Sequence, residues 1–151
     1  MKRILRGLLT LLLAGIVATA GAADMLMVRS KAPFEETMLN LQQAISDQGY
    51  VLSRVQRVDI GLTEFGYQTD KYRVVFFGKP EEIRRLSANY PELIPYLPLQ
   101  IAIFAEADET LLATASPLDL NDAYAKPELA ALFARWEQDL RAILERVRKG
   151  Q

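Results

Sequence analysis

A chain of 151 residues with no histidine and no cysteine must do its chemistry with carboxylates, hydroxyls, phenols and amines. A disulfide, a zinc finger, a c-type haem attachment, a catalytic thiol and every His-based triad are excluded at once. Three acids lie close together, Asp59, Glu64 and Asp70, in the stretch from Asp59 to Lys71. Two such carboxylates, or one of them with Tyr67 or Tyr72, form an acid/base pair if burial drives their pKa values apart. In a polar loop the same groups simply stay hydrated. Phe65 and Tyr67 stand beside Gly61 and Gly66 and adjoin Glu64, Asp70 and Lys71, so the 61–71 loop is the best candidate binding feature. Lys79, just past the next apolar run, can join it. The competing reading is that both aromatics cover a sheet edge or seal a dimer. Asp119, Asn121 and Asp122 offer oxygen ligands for a hard cation, but they lack the long loop and closing Glu of a calcium site and read as cap or turn formers.

Charge narrows the partners. The chain has 18 Lys and Arg against 19 Asp and Glu, and three of the bases, Lys2, Arg3 and Arg6, fall in a first segment that has no acid. The remainder is acidic, with its bases interspersed among acids, which argues against nucleic acid as a partner. That first segment has a positive start, the apolar run LLTLLLAGIVATA and the small-residue finish Ala20-Gly21-Ala22. It reads as a secretory signal peptide over residues 1–22, cleaved near Ala22, with an uncleaved anchor as the competing reading. The expected location is periplasmic or secreted, without stable membrane insertion once the leader is removed, and residues 23–151 form one domain.

The elements that must position these groups follow from periodicity. Met25 to Ser30 is a short apolar run and reads as a strand. Pro33, the acids Glu35 and Glu36, and the stripe Phe34, Met38, Leu41 and Ile45 predict a helix to about Gln48, closed by Gly49. Tyr50 to Val58 predicts a strand with a bulge, 59–71 a loop or weak edge strand, and Tyr72 to Phe77, apolar on both faces, a central strand. Pro80 opens a short helix that Pro91 limits, and Pro91, Pro95 and Pro98 enclose an extended connection. Leu99 to Ala115 reads as an antiparallel hairpin broken at Ala107 to Glu109, and a polar turn follows Pro117. The strongest helix covers 127–149, with Arg135, Asp139, Arg146 and the Glu137/Arg141 pair on a face expected to be solvated. The fold class is α+β: an antiparallel sheet with helices packed on one face.

Four strings carry a family resemblance: Phe34 to Leu52, Arg73 to Pro80, the Leu97-Pro98-Leu99 entry to a strand, and the hairpin after it. Through these, with Phe77-Gly78-Lys79-Pro80 the most specific, residues 25–116 resemble the DUF302 family of small α+β domains. The resemblance implies a β-α-β4-α, TBP-like arrangement, often dimeric, and no settled activity. The resemblance also implies an Asp-His or similar pair after the second strand, which many family members have. Val58-Asp59-Ile60 keeps the acid and lacks the imidazole, so no metal or haem role is carried over. The leading expectation is a non-enzymatic binding or interaction domain without a cofactor. It would be a homodimer whose sheet face or 61–71 loop contacts a small apolar ligand or a periplasmic protein. Its candidate binding residues are Asp59, Glu64, Phe65, Tyr67 and Lys79. The alternative is a hydrolase or isomerase using Asp59 or Glu64 with Tyr67 or Tyr72, in a pocket between the 59–71 loop and the sheet.

Overall fold

The computed structural model describes residues 24–69 and 71–151; the expected signal peptide over 1–22, Ala23 and Asp70 lie outside the described residues. Strand β1 (Met25–Ser30) leads into helix α1 (Phe34–Asp47), whose stripe buries Phe34, Leu41 and Ile45. Gly49 adopts φ +79° at the turn into β2 (Val51–Arg57), a conformation that costs a side chain with Cβ dearly. The expected irregularity in β2 falls between Leu52 and Arg54. After β2 come α2 (Asp59–Thr63), β3 (Tyr72–Gly78), α3 (Pro80–Asn89) and a 3-10 turn over Pro91–Tyr96. The hairpin β4 (Leu99–Glu106) and β5 (Glu109–Ala115) follows, then a 3-10 turn at Pro117–Asp119, α4 (Leu120–Ala123) and α5 (Pro127–Arg148).

Among the described residues the sheet has the order β1-β5-β4-β3-β2 and every pairing is antiparallel. One face alternates Leu26, Leu112, Ile101, Ile103, Val75 and Phe77 inward, against Leu41, Ala44 and Ile45 of α1 and Leu140, Ile143, Leu144 and Val147 of α5. The helices lie side by side on that face, which is why each needs only one apolar stripe. The other face carries Met27, Ala113, Ala102, Val74 and Gln56 in one row and Arg29, Leu111, Phe104 and Tyr72 in the next. No helix stands over it among the described residues, and Met25 and Met27 remain about half exposed. A second core cluster, around Leu93, Leu129, Phe133 and Trp136, binds the first half of α5 to α3 and the proline turn.

Four sequence expectations are corrected. The 59–71 stretch begins as a helix, because Arg57 and Arg73 from the flanking strands fix Asp59 at its first residue. The 91–98 connection and the stretch after Pro117 are partly helical, since proline's fixed φ suits the first residues of a tight turn as well as an extended chain. Strand β3 keeps an interior place, between β4 and the edge strand β2, and its outer residues Tyr72, Val74 and Phe76 are half-buried. Finally, the polar face of α5 is only partly solvated. Glu137 is buried and Asp139 nearly so, each held by a partner from another element.

The Phe-Gly-x-Pro string has a steric reason. A Cβ on Gly78 would stand 2.2 Å from Ile83 Cδ1, so the bare backbone leaves room for the Ile83 side chain of α3 at the end of β3.

Candidate functional site

Strand alternation separates the residues singled out in the sequence. Asp59 starts α2 and is 2% exposed. Its Oδ2 accepts from Arg57 Nη2 and its Oδ1 from Arg73 Nη1, each at 2.6 Å. Arg73 also lies 5.8 Å over the Phe34 ring, on the helix-bearing face. Tyr72 projects to the opposite face, edge-on to Phe104 at 5.6 Å between centroids. Asp59 and Tyr72 are therefore on opposite sides of the sheet. Glu64 and Tyr67 are exposed, and Phe65 is 88% exposed. Lys79 is at the far end of β3, about 20 Å along the strand from Arg73 by strand rise. The structure does not bring it to the loop.

The Arg57 hydrogen bond, helped by the charges of Arg73 and Arg57 and opposed by burial, holds the Asp59 carboxyl below its ordinary range. A carboxyl lower in the folded than in the unfolded chain contributes its full stabilisation above the unfolded value, and loses it as pH falls through the folded one. Asp59→Asn is expected to lower the melting temperature at pH 7 by a few degrees, with the gap to the parent closing in acid, below about pH 3.9. Melts at pH 7 and pH 3 check this; an equal gap at both would remove the ion pairs as the cause.

Lys79 belongs to a different cluster. Its Nζ lies 4.5 Å over the Tyr50 ring and 4.0 Å from Asp139 Oδ2. Asp139 also accepts from Tyr50 Oη at 2.6 Å, Gln48 Nε2 at 2.9 Å and Arg135 Nη1 at 3.3 Å. Arg135 in turn pairs with Glu82. Burial and the Asp139 carboxylate together push the Tyr50 phenol well above its usual value. The cluster ties the end of α1, the start of α3 and the middle of α5 together, and its charges are mutually satisfied.

The structure adds a cleft that the sequence reading missed. Where β3 ends, β4 begins and β5 ends, a cleft of about 330 Å³ opens. Tyr96 and Leu97 of the proline turn, Phe76 of β3, Leu99 of β4, and Trp136 and Leu140 of α5 supply its apolar walls. The polar lining is largely engaged. Thr114 Oγ1 donates to the Gln100 carbonyl at 2.7 Å, and Ser116 Oγ donates to Glu137 at 2.7 Å while accepting from Leu118 N–H at 3.2 Å. Asp119 Oδ2 accepts from the Asp24 N–H at 2.8 Å. A concave, mostly apolar pocket of this volume with a few placed polar groups is what small-molecule sites consist of. The sequence signal for it was the lone tryptophan together with three prolines and Tyr96 in one connection. Asp119 and Asn121, read from the sequence with Asp122 as cap or turn formers over a cation site, take different surroundings: Asp119 lines the cleft, and Asn121 Oδ1 is buried without a hydrogen-bond partner. Among the described residues, no three His, Cys, Asp or Glu side chains converge to hold a metal ion, and no helix is long and apolar enough to cross a membrane.

No curated protein matches the sequence. The crystal structure of an uncharacterised conserved DUF302 protein from Bacillus stearothermophilus is similar at a TM-score of 0.72. The match covers 82% of this chain and 98% of that one at 22% identity, a likeness of fold. The family model described as domain of unknown function DUF302 matches residues 26–147, most of the chain, and the chain therefore belongs to the DUF302 family.

Proposed function

We propose that the domain is an exported, non-enzymatic binding module that holds a small apolar molecule in the cleft between the proline turn, the strand ends and α5. The observation that carries this reading is the cleft itself: its walls are aromatic and aliphatic, and they come from the strand ends, the proline turn and α5. The state of the candidate carboxylates supports binding over catalysis. Asp59 has both oxygens occupied by guanidinium groups, Glu64 is in solvent, and neither is among the residues lining the cleft. Export rests on the leader-like residues 1–22, which precede the first described strand at Met25.

Native mass spectrometry of the protein purified from its own host tests both parts. The expected spectrum is a chain starting after Ala22 with a retained small organic molecule. Ala115→Trp places an indole at an exposed position on the cleft wall. That variant is expected to fold normally and lose at least about tenfold in occupancy, the scale of one large apolar contact. A chain without adduct that also fails to take up 1-octanol would overturn the binding reading.

A further inference from the structure

Among the described residues, Asp119 is the one formally charged side chain in the cleft lining. Its Oδ2 is engaged by the Asp24 N–H, and no described Lys or Arg forms an ion pair with it. The residue donating that N–H is itself acidic. The other carboxylate close to the cleft, Glu137, is already neutralised: Arg141 lies 2.6 Å from its Oε1 and Ser116 fills its Oε2. The lining thus combines a single negative charge with three aromatic residues, Phe76, Tyr96 and Trp136.

That combination selects a charge type. A carboxylate or phosphate ligand would meet Asp119 without any cation to balance it, and a neutral ligand would leave the charge unused. An ammonium on an apolar body matches both features, since it can donate a charge-assisted hydrogen bond to the free side of Asp119 while its carbon chain fills the apolar walls. The aromatic rings add attraction for a cation and none for an anion. We infer that the cleft takes a small apolar amine, held through its ammonium by Asp119. This rests on the cleft being the binding site.

The test is a titration of the mature protein with octylamine, 1-octanol and octanoate, read by the fluorescence of Trp136, the only tryptophan. Octylamine is expected to bind about tenfold more tightly than 1-octanol, with octanoate weakest. Asp119→Asn keeps an acceptor for the Asp24 N–H, so the variant should remain folded and bind 1-octanol as before. Its preference for octylamine should fall to within about twofold of unity. Asp122→Asn, an exposed acid outside the lining, should leave the preference unchanged and so separate Asp119 from the general surface potential. If 1-octanol binds and octylamine gains nothing, or octanoate binds best, the amine inference falls while the cleft stands. If none of the three moves the fluorescence, both fall together.

Discussion

Trp136→Ala lowers the folding free energy by about 3–5 kcal/mol, the cost of emptying a large aromatic from a packed core. The indole is 2% exposed and packs on Phe133 at 5.8 Å between centroids, inside the cluster that attaches the proline turn and α3 to α5. Its Nε1 also donates to Glu82 Oε1 at 3.0 Å. Removing it leaves a carboxylate that is only 15% exposed with Arg135 as its remaining partner. Small domains are stable by about 5–15 kcal/mol, so the variant retains a fraction of that. Trp136→Phe separates the two contributions: it keeps most of the volume and deletes the N–H, for a cost of about 1.5–3 kcal/mol if the bond to the carboxylate matters. Urea unfolding followed by far-ultraviolet circular dichroism gives both numbers, provided the slope stays constant. A loss below about 1 kcal/mol in Trp136→Ala would mean that this part of α5 is not packed as described.

Phe77→Ala should cost a similar amount, about 3–5 kcal/mol, in the main core. Phe77 is fully buried between Leu52 and Leu99 in register, and it meets Tyr50 edge-on at 5.4 Å. The effect extends beyond the cavity, because Tyr50 is the residue whose phenol anchors Asp139. A double-mutant cycle with Tyr50→Leu should give a coupling of about 0.5–1.5 kcal/mol, the usual worth of an aromatic pair. Additive losses would show that the two rings stabilise the fold independently.

Helices α1 and α5 were legible because each has an uninterrupted apolar stripe, and the β4–β5 hairpin because alternation stops and resumes around a short polar break. Gly49 was legible as a helix stop for the same local reason. Helix α2 was not, since its five residues have no stripe; it is held by the local Arg57 and by Arg73, which the β2–β3 pairing brings to Asp59 from fourteen residues away. Glu137 looked like half of a solvated helix pair with Arg141, and its actual burial depends on Ser116, 21 residues earlier. The cleft was hidden most thoroughly. Its walls come from residues near 76, 96, 115 and 138, and no local string announces that these segments converge. Lys79 was placed correctly just past its strand but credited to the wrong end of it, because sequence adjacency does not say which end of a strand a loop on the other side can reach.

The strand order has one further consequence, for how the polypeptide must assemble. β1 and β2 are neighbours in the chain but occupy opposite margins of the sheet, and α1 bridges the whole width between them. The mate of β1 is β5, with Met25 opposite Ala115 and Ser30 opposite Thr110. A polypeptide delivered amino end first therefore presents its opening ribbon roughly eighty residues before the ribbon that zips onto it exists in the same space. Until that moment its row of peptide donors and acceptors is bonded to water alone, so closure of this margin of the sheet waits on the β4–β5 hairpin.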